Sequence, residues 1–235
     1  MTRKLPHRFI RGASIGSIGI ALLIAGDAHA ASLTARGNEP GWQLVITDRA
    51  ITLSTMDGAA VSVEPVPPAT MANEVAVYSA TVDGKPFALV VADKICSDTM
   101  TGMPFPKTVA IVIGDQNLIG CGGESLSLLL GDWKVEEIGG QGVIAESEAS
   151  IAFDLDGSLH GNSSCNRFFG SFILTAEGLT ISEIGGTMMA CDPELMDQEQ
   201  RFLSSLELVR RFESAPDGRL RLIGDDGRVV VSAKQ

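Results

Sequence analysis

The sequence predicts a β-rich, α+β chain: an N-terminal all-β unit followed by a β meander with one helix. Three observations carry this. Short runs of alternating apolar and polar residues recur along the chain, and Asp-Gly pairs punctuate them at 83–84, 156–157, 217–218 and 226–227, a strong short-range signal for hairpins. A convincing 3.6-residue apolar period occurs in one place, just after Cys191. The cysteines, Cys96, Cys121, Cys165 and Cys191, fall two to each half and none forms a C-x-x-C. That spacing argues against a zinc knuckle or a thioredoxin-type motif and reads as disulfides in an exported protein.

Export is expected from the N-terminus. Arg3, Lys4, Arg8 and Arg11 precede an apolar run from Ile15 to Ala25, and Ala28-His29-Ala30 ends it. A basic segment, a short apolar segment and an A-x-A site make a secretory signal peptide over residues 1–30, cleaved after Ala30. The run is short for a bilayer span, so no retained transmembrane anchor is expected, and no cysteine stands at the cleavage point for lipid attachment. The destination is periplasmic or secreted. Losing the leader removes four basic groups and Asp27, which moves the formal charge from −11 to −14. So acidic a chain has no basic stripe for phosphates, which excludes nucleic acid as a partner and disfavours anionic headgroups. The 205 residues that remain suit one large or two small domains, and the expected division is 31–127 and 128–235.

In the first unit, strands are expected at Trp42–Ile46, Ile51–Ser54, Val61–Val66, Glu74–Val82 and Pro86–Ala92, the last two joined at Asp83-Gly84. Pro67-Pro68 ends the third because proline offers no ladder donor. Val109–Ile113 and Leu118–Gly120 flank a turn at Asp115–Asn117. Between Ile95 and Pro106, Gly102, Pro104 and Pro106 predict a loop without regular structure that bears apolar side chains.

Residues 124–131 read as the junction. Beyond it, strands are expected at Trp133–Ile138, Ile151–Leu155, from Leu159 onward, and at Phe168–Leu174 and Leu179–Ile184. Gly139–Ser147 reads as a loop. The helix follows: Asp192 is placed to cap it, Pro193 suits its first position and Glu194 its positive end. Leu195, Phe202, Leu203 and Leu206 share one face, with Asp197, Gln198, Gln200 and Arg201 on the other. Burying four such side chains is worth on the order of 6–12 kcal/mol before entropy, which makes the helix core, not a lid. Val209–Glu213, Leu220–Ile223 and Val229–Ser232 complete the meander.

Candidate chemistry is sparse. His160 is the only histidine after the leader, near Asp154, Asp156 and Ser158. These residues sit beside a hairpin tip, where strand alternation alone brings them together, and no G-x-S-x-G elbow exists. No catalytic set is assigned. Asp154-x-Asp156-Gly157 and Asp225-Asp226-Gly227 lack the remaining oxygens and closing Glu of a calcium loop and read as turns. Asn162-Ser163-Ser164 is a formal glycosylation acceptor that also fits a tight turn. Met100, Met103, Met188 and Met189 lie beside the cysteine-bearing loops; without a nearby histidine they read as adaptable packing, not a copper(I) site. No metal and no cofactor is expected.

Two resemblances add to this. Gly161…Cys165-Asn166-x-Phe168-x-Gly170, followed by Thr187-x-Met189-Ala190-Cys191, resembles the META-domain family, typified by a bacterial heat-inducible envelope protein. The resemblance implies a curved antiparallel sheet embracing the helix, a role in envelope stress resistance and no settled activity. Asn38-Glu39-Pro40-x-Trp42 with Cys96-Ser97-Asp98-x-Met100-x-Gly102 and Gly120-Cys121 is similar to a bacterial envelope domain over roughly residues 36–124, which implies no activity either. One cysteine pair per unit predicts Cys96–Cys121 and Cys165–Cys191. A reactive thiol is the alternative, with Arg167 near Cys165 and Lys94 near Cys96 as the cations it would need. The expected function is a non-enzymatic envelope module that binds a protein or an apolar ligand through loops at Met100, Met103 and Phe105 and at Asn162, Asn166 and Arg167. For that last group a structural role is favoured over recognition. The alternative function is an inhibitor of an exported hydrolase, which an acidic protruding loop would mark.

Overall fold

Alternation folds the first half into hairpins. β1 (Leu33–Asn38), β2 (Gly41–Ile46), β3 (Ile51–Thr55) and β4 (Ala60–Val63) form one meander. β5 (Thr70–Ala72), β6 (Val75–Val82) and β7 (Lys85–Ala92) form another. β8 (Cys96–Ser97) and β9 (Pro104–Phe105) pair as a small clip, and β10 (Lys107–Ile113) and β11 (Gln116–Gly122) end the half. β1 pairs with both β2 and β11, which gives the antiparallel order β4-β3-β2-β1-β11-β10-β7-β6-β5. The inner face buries Trp42, Leu44, Ile51, Leu53, Phe87, Leu89, Val109 and Ile111. This computed structural model describes Met1 and residues 33–235; the expected leader and its cleavage site lie outside the described residues.

Several local expectations differ, and the strand expected at Val61–Val66 already ends at Val63. β1 carries no apolar alternation beyond Leu33 and Ala35, and becomes a strand because β2 and β11 offer it a ladder on each side. The loop from Ile95 to Pro106 contains the β8–β9 clip after all: Pro104 sits in a two-residue edge pairing that asks little of its missing N–H. The later turn is Gly114-Asp115, not Asp115–Asn117, because Gly114 takes φ +56 and frees Gln116 and Asn117 to pair.

In the second half β12 (Gly131–Ile138) is the central strand, with β13 (Gln141–Gly142) as a short addition to it. β14 (Ser150–Phe153), β15 (Ser158–Asn162), β16 (Arg167–Thr175) and β17 (Gly178–Gly186) extend one side. After α1 (Pro193–Glu207), β18 (Val209–Ser214), β19 (Arg219–Gly224) and β20 (Val229–Lys234) extend the other. The order is β17-β16-β15-β14-β12-β20-β19-β18. The sheet curls until its edges approach: the backbone of Gly178 in β17 lies so close to the Arg210 carbonyl of β18 that a Cβ there would collide.

α1 packs on β12, β17 and β20 and drives Phe202 and Leu206 into the core, both wholly buried. Phe168 meets Phe202 edge-on at 5.5 Å, and Phe153 meets Phe172 at 5.2 Å. Asp192 occupies the N-cap position but its carboxylate makes no cap bond; its carbonyl accepts from Leu195 and Met196 instead. The buried face also differs from expectation. Gln198 is buried at 1% exposure while Leu195 and Leu203 are half-buried. The amide tolerates burial because both its ends are bonded, one to Ser164 and the other to the Ile144 N–H.

The cores of the halves are not separate at one place. Met103, Phe105 and Cys121, all from the first half, belong to the cluster that holds Trp133, Phe168 and Phe202. The clip therefore hands two apolar side chains to the neighbouring fold.

Candidate ligand groove and the two stapled loops

Each half carries a disulfide. Cys96 joins Cys121 with Cα atoms 5.4 Å apart, and Cys165 joins Cys191 at 6.0 Å. The sulfurs are consumed, and the reactive-thiol alternative goes with them.

Around the first disulfide, Asp98 organises the loop. Its Oδ1 accepts from the backbone N–H groups of Met100 and Thr101, each at 2.9 Å, and from Thr101 Oγ1. Asn38 Nδ2 donates to its Oδ2 at 3.1 Å and ties the loop to the end of β1. Partial burial pushes the Asp98 carboxyl up, yet these donors outweigh it and hold the group below the usual aspartate value. The tether splits the loop's apolar residues. Met103 and Phe105 turn inward, at 5% and 6% exposure, whereas Met100 stands out at 79%. Of the three residues expected to make contacts here, Met103 and Phe105 are thus core, because they pack into the cluster of the second sheet. Met100 remains at the surface.

Met100 borders a groove of about 730 Å³ on the outer face of the first sheet. Its floor is a cross-strand row: Arg36 pairs with Gln43, and Gln43 with Ser54. All three face outward and are exposed. Arg36 lies 5.0 Å above the Phe105 ring, a cation–π placement. Met56, 89% exposed, folds its sulfur over Gly41, where a Cβ would collide with it. Sequence reasoning missed Arg36, Gln43, Ser54 and Met56; the alternation of β2 was the only signal, and β1 was not recognised.

The second loop is closed. Asn166, 3% exposed, donates through its backbone N to Glu199 Oε2 at 2.8 Å and through Nδ2 to Glu199 Oε1 at 3.0 Å. Its Oδ1 accepts from Thr187 Oγ1 at 2.8 Å and from the Met189 N–H at 2.7 Å. Ser163 gives its one hydroxyl proton to Glu199 at 2.6 Å, and its own N–H reaches the Asn166 carbonyl. Burial raises the Glu199 carboxyl, but the Ser163 and Asn166 donors prevail and keep it below the usual glutamate value. Gln198 donates to Ser164 Oγ and accepts from the Ile144 N–H, both at 2.7 Å. Asn162 Oδ1 accepts from the Ser164 N–H. Asn166 is therefore a pin between two loops, Asn162 a turn former, and Arg167 an exposed side chain beside them. Glu199, which carries the network, was invisible as such in the sequence: an acidic residue on a helix reads as solvated.

His160 stands elsewhere. Its Nε2 is 3.3 Å from Asp154 Oδ2, with side chains 58% and 47% exposed. Ser158 Oγ bonds to Asp156 at 2.7 Å and approaches Asp154 at 3.2 Å. A serine nucleophile needs its hydroxyl on the base, and here it rests on carboxylates. The methionines are scattered as well: Met188 and Met189 are exposed on the second loop, Met103 is buried and Met100 lines the groove.

Residues 126–235 match the META domain family. The match spans β12 to β20 with the helix, so the Cys165–Cys191 loop and the Glu199 network lie wholly inside the matched residues, whereas the groove lies before them. A solved protein from Burkholderia xenovorans is similar at 23% identity, covering 46% of this chain and 85% of that one with a TM-score of 0.38, too distant to bear on function. No curated protein matches the chain.

Proposed function

We propose that this chain is a non-enzymatic binding module of the cell envelope, with residues 31–127 presenting the ligand site and residues 128–235 as the META unit that braces it. The groove carries the reading: a guanidinium held on an aromatic ring, a polar floor and two exposed thioethers converge on one concave surface. Pockets of this size are where small ligands seat, and methionine is the side chain that adapts to apolar groups. The META match supports an envelope or stress-related module. The likeness to a heat-inducible envelope protein, and that of the first half to an envelope domain, support stress resistance as the setting. Two disulfides suit an oxidising compartment, and among the described residues no helix is long and apolar enough to cross a membrane. The partner is a protein or apolar ligand of the envelope.

Native mass spectrometry of the chain purified from its envelope fraction tests this. A co-purifying mass that is lost in the double variant Arg36→Gln, Met100→Ser is the expected result. A ligand retained by the double variant would place binding elsewhere, and a hydrolytic activity that depends on His160 would overturn the non-enzyme reading.

A further inference from the structure

The groove's chemistry narrows its occupant, on the reading that it is the binding site. We propose that it takes an amphipathic carboxylate: the carboxylate on Arg36 and the aliphatic chain along Met56 and Met100.

Charge is the first argument. The chain is acidic overall, at −11, and Arg211, Arg219 and Arg228 each sit within ion-pair distance of a carboxylate. Among the described residues Arg36 has none within that distance, as is also true of Arg49, Arg167, Arg201, Arg210 and Arg221; what sets Arg36 apart is its place in the groove. Its guanidinium is instead held by the Phe105 ring at 5.0 Å, which stabilises the cation without neutralising it. Glu124 lines the same groove and lies beyond ion-pair reach, so it weakens the local positive field and does not satisfy the fork.

Geometry is the second. Arg36, Gln43 and Ser54 are register neighbours on one face of three adjacent strands, spaced by the interstrand distance of about 4.8 Å. A guanidinium binds a carboxylate through two parallel N–H···O bonds, and the Gln43 amide stands one strand away as a further donor. The third is the rim. Met56 and Met100 are exposed at 89% and 79%, are anchored by Gly41 and by the Asp98 turn respectively, and offer soft surface that follows a flexible chain. A purely polar anion would leave them idle, and a neutral lipid would leave Arg36 unpaired.

The test titrates the mature chain with dodecanoate, dodecanol, butyrate and dodecyl phosphate, followed by backbone amide shifts at Arg36, Gln43, Ser54 and Met100. Dodecanoate is expected to bind at least about tenfold tighter than dodecanol or butyrate. Arg36→Gln is expected to abolish that preference while leaving dodecanol binding unchanged, and Glu124→Gln to strengthen dodecanoate about two- to threefold. Equal binding of dodecanoate and dodecanol, or of dodecanoate and butyrate, overturns the amphipathic-anion inference; tighter dodecyl phosphate overturns the carboxylate. Absence of shifts with every probe also sinks it. The groove reading itself is judged separately, by whether the co-purified mass depends on Arg36 and Met100.

Discussion

The two stapled loops invite comparison, because each closes a similar stretch of chain, 25 and 26 residues between cysteines, and each mixes polar with apolar side chains. They spend them differently. In the loop closed by Cys165–Cys191 the polar groups at its base are answered inside the fold, with Asn166, Ser163 and Thr187 gathered on or around Glu199. In the loop closed by Cys96–Cys121 one carboxylate, Asp98, fixes the backbone, and the remaining groups point two ways: Phe105 into the neighbouring core, Met100 into the groove. The most distinctive motif of the sequence thus marks a saturated brace, and the plainer loop borders the surface with unspent donors.

The largest test breaks the loop that looks free. Phe105→Ala removes a ring from a core shared by both halves and should cost about 3–5 kcal/mol, or roughly 6–20 °C in Tm for a chain of this size. Thermal unfolding measures it; a loss under about 1 kcal/mol would mean that the first half does not lean on the second through this ring. Opening either disulfide comes next. Each closes a loop worth about 3–4 kcal/mol in the chain-entropy model, and non-reducing peptide mapping should recover Cys96–Cys121 and Cys165–Cys191 with no link between them.

Glu199→Ala should follow, at about 3 kcal/mol, since it strands the Ser163 and Asn166 donors in a closed site. Its pH dependence has a definite sign. The carboxyl is held below its ordinary value of 4.5, so its contribution is present above that value and is lost as pH falls through the lower folded-state value. The stability gap between the wild type and Glu199→Gln should therefore be full near neutrality and shrink on acidification below pH 4.5. A gap that stays constant down to about pH 3 would show that the ionised Glu199 carboxylate does not hold the network together.

How much of this was legible beforehand follows the same division. Hairpins with an Asp-Gly turn, the helix with Pro193 at its first turn and the one-pair-per-half disulfides were readable, because each is written in neighbouring residues or in simple spacing. β1 was not, since Leu33–Asn38 owes its strand state to partners at 41–46 and 121–122. Gln198 was placed on the wrong face of α1 because burial of an amide depends on Ser164 and Ile144, far away in the chain. The groove was missed for that reason too: Arg36 and Phe105 are 69 positions apart in the sequence.

The smallest effect on stability is expected at Met100, and it separates the readings most cleanly from its neighbour Met103. Met103→Ser puts a hydroxyl into a dry core and should cost about 2–4 kcal/mol. Met100→Ser changes a side chain already in water, so stability should move by less than about 0.5 kcal/mol. Its Asp98 tether runs through the backbone N–H, which serine keeps, and the groove wall therefore survives the substitution. Binding of the groove's ligand should nevertheless weaken severalfold as the thioether contact goes. Differential scanning fluorimetry and the co-purified mass, measured on both variants, decide it. If Met100→Ser leaves ligand occupancy at the wild-type level, the exposed thioether is idle surface and the contrast between the two loops loses its functional half.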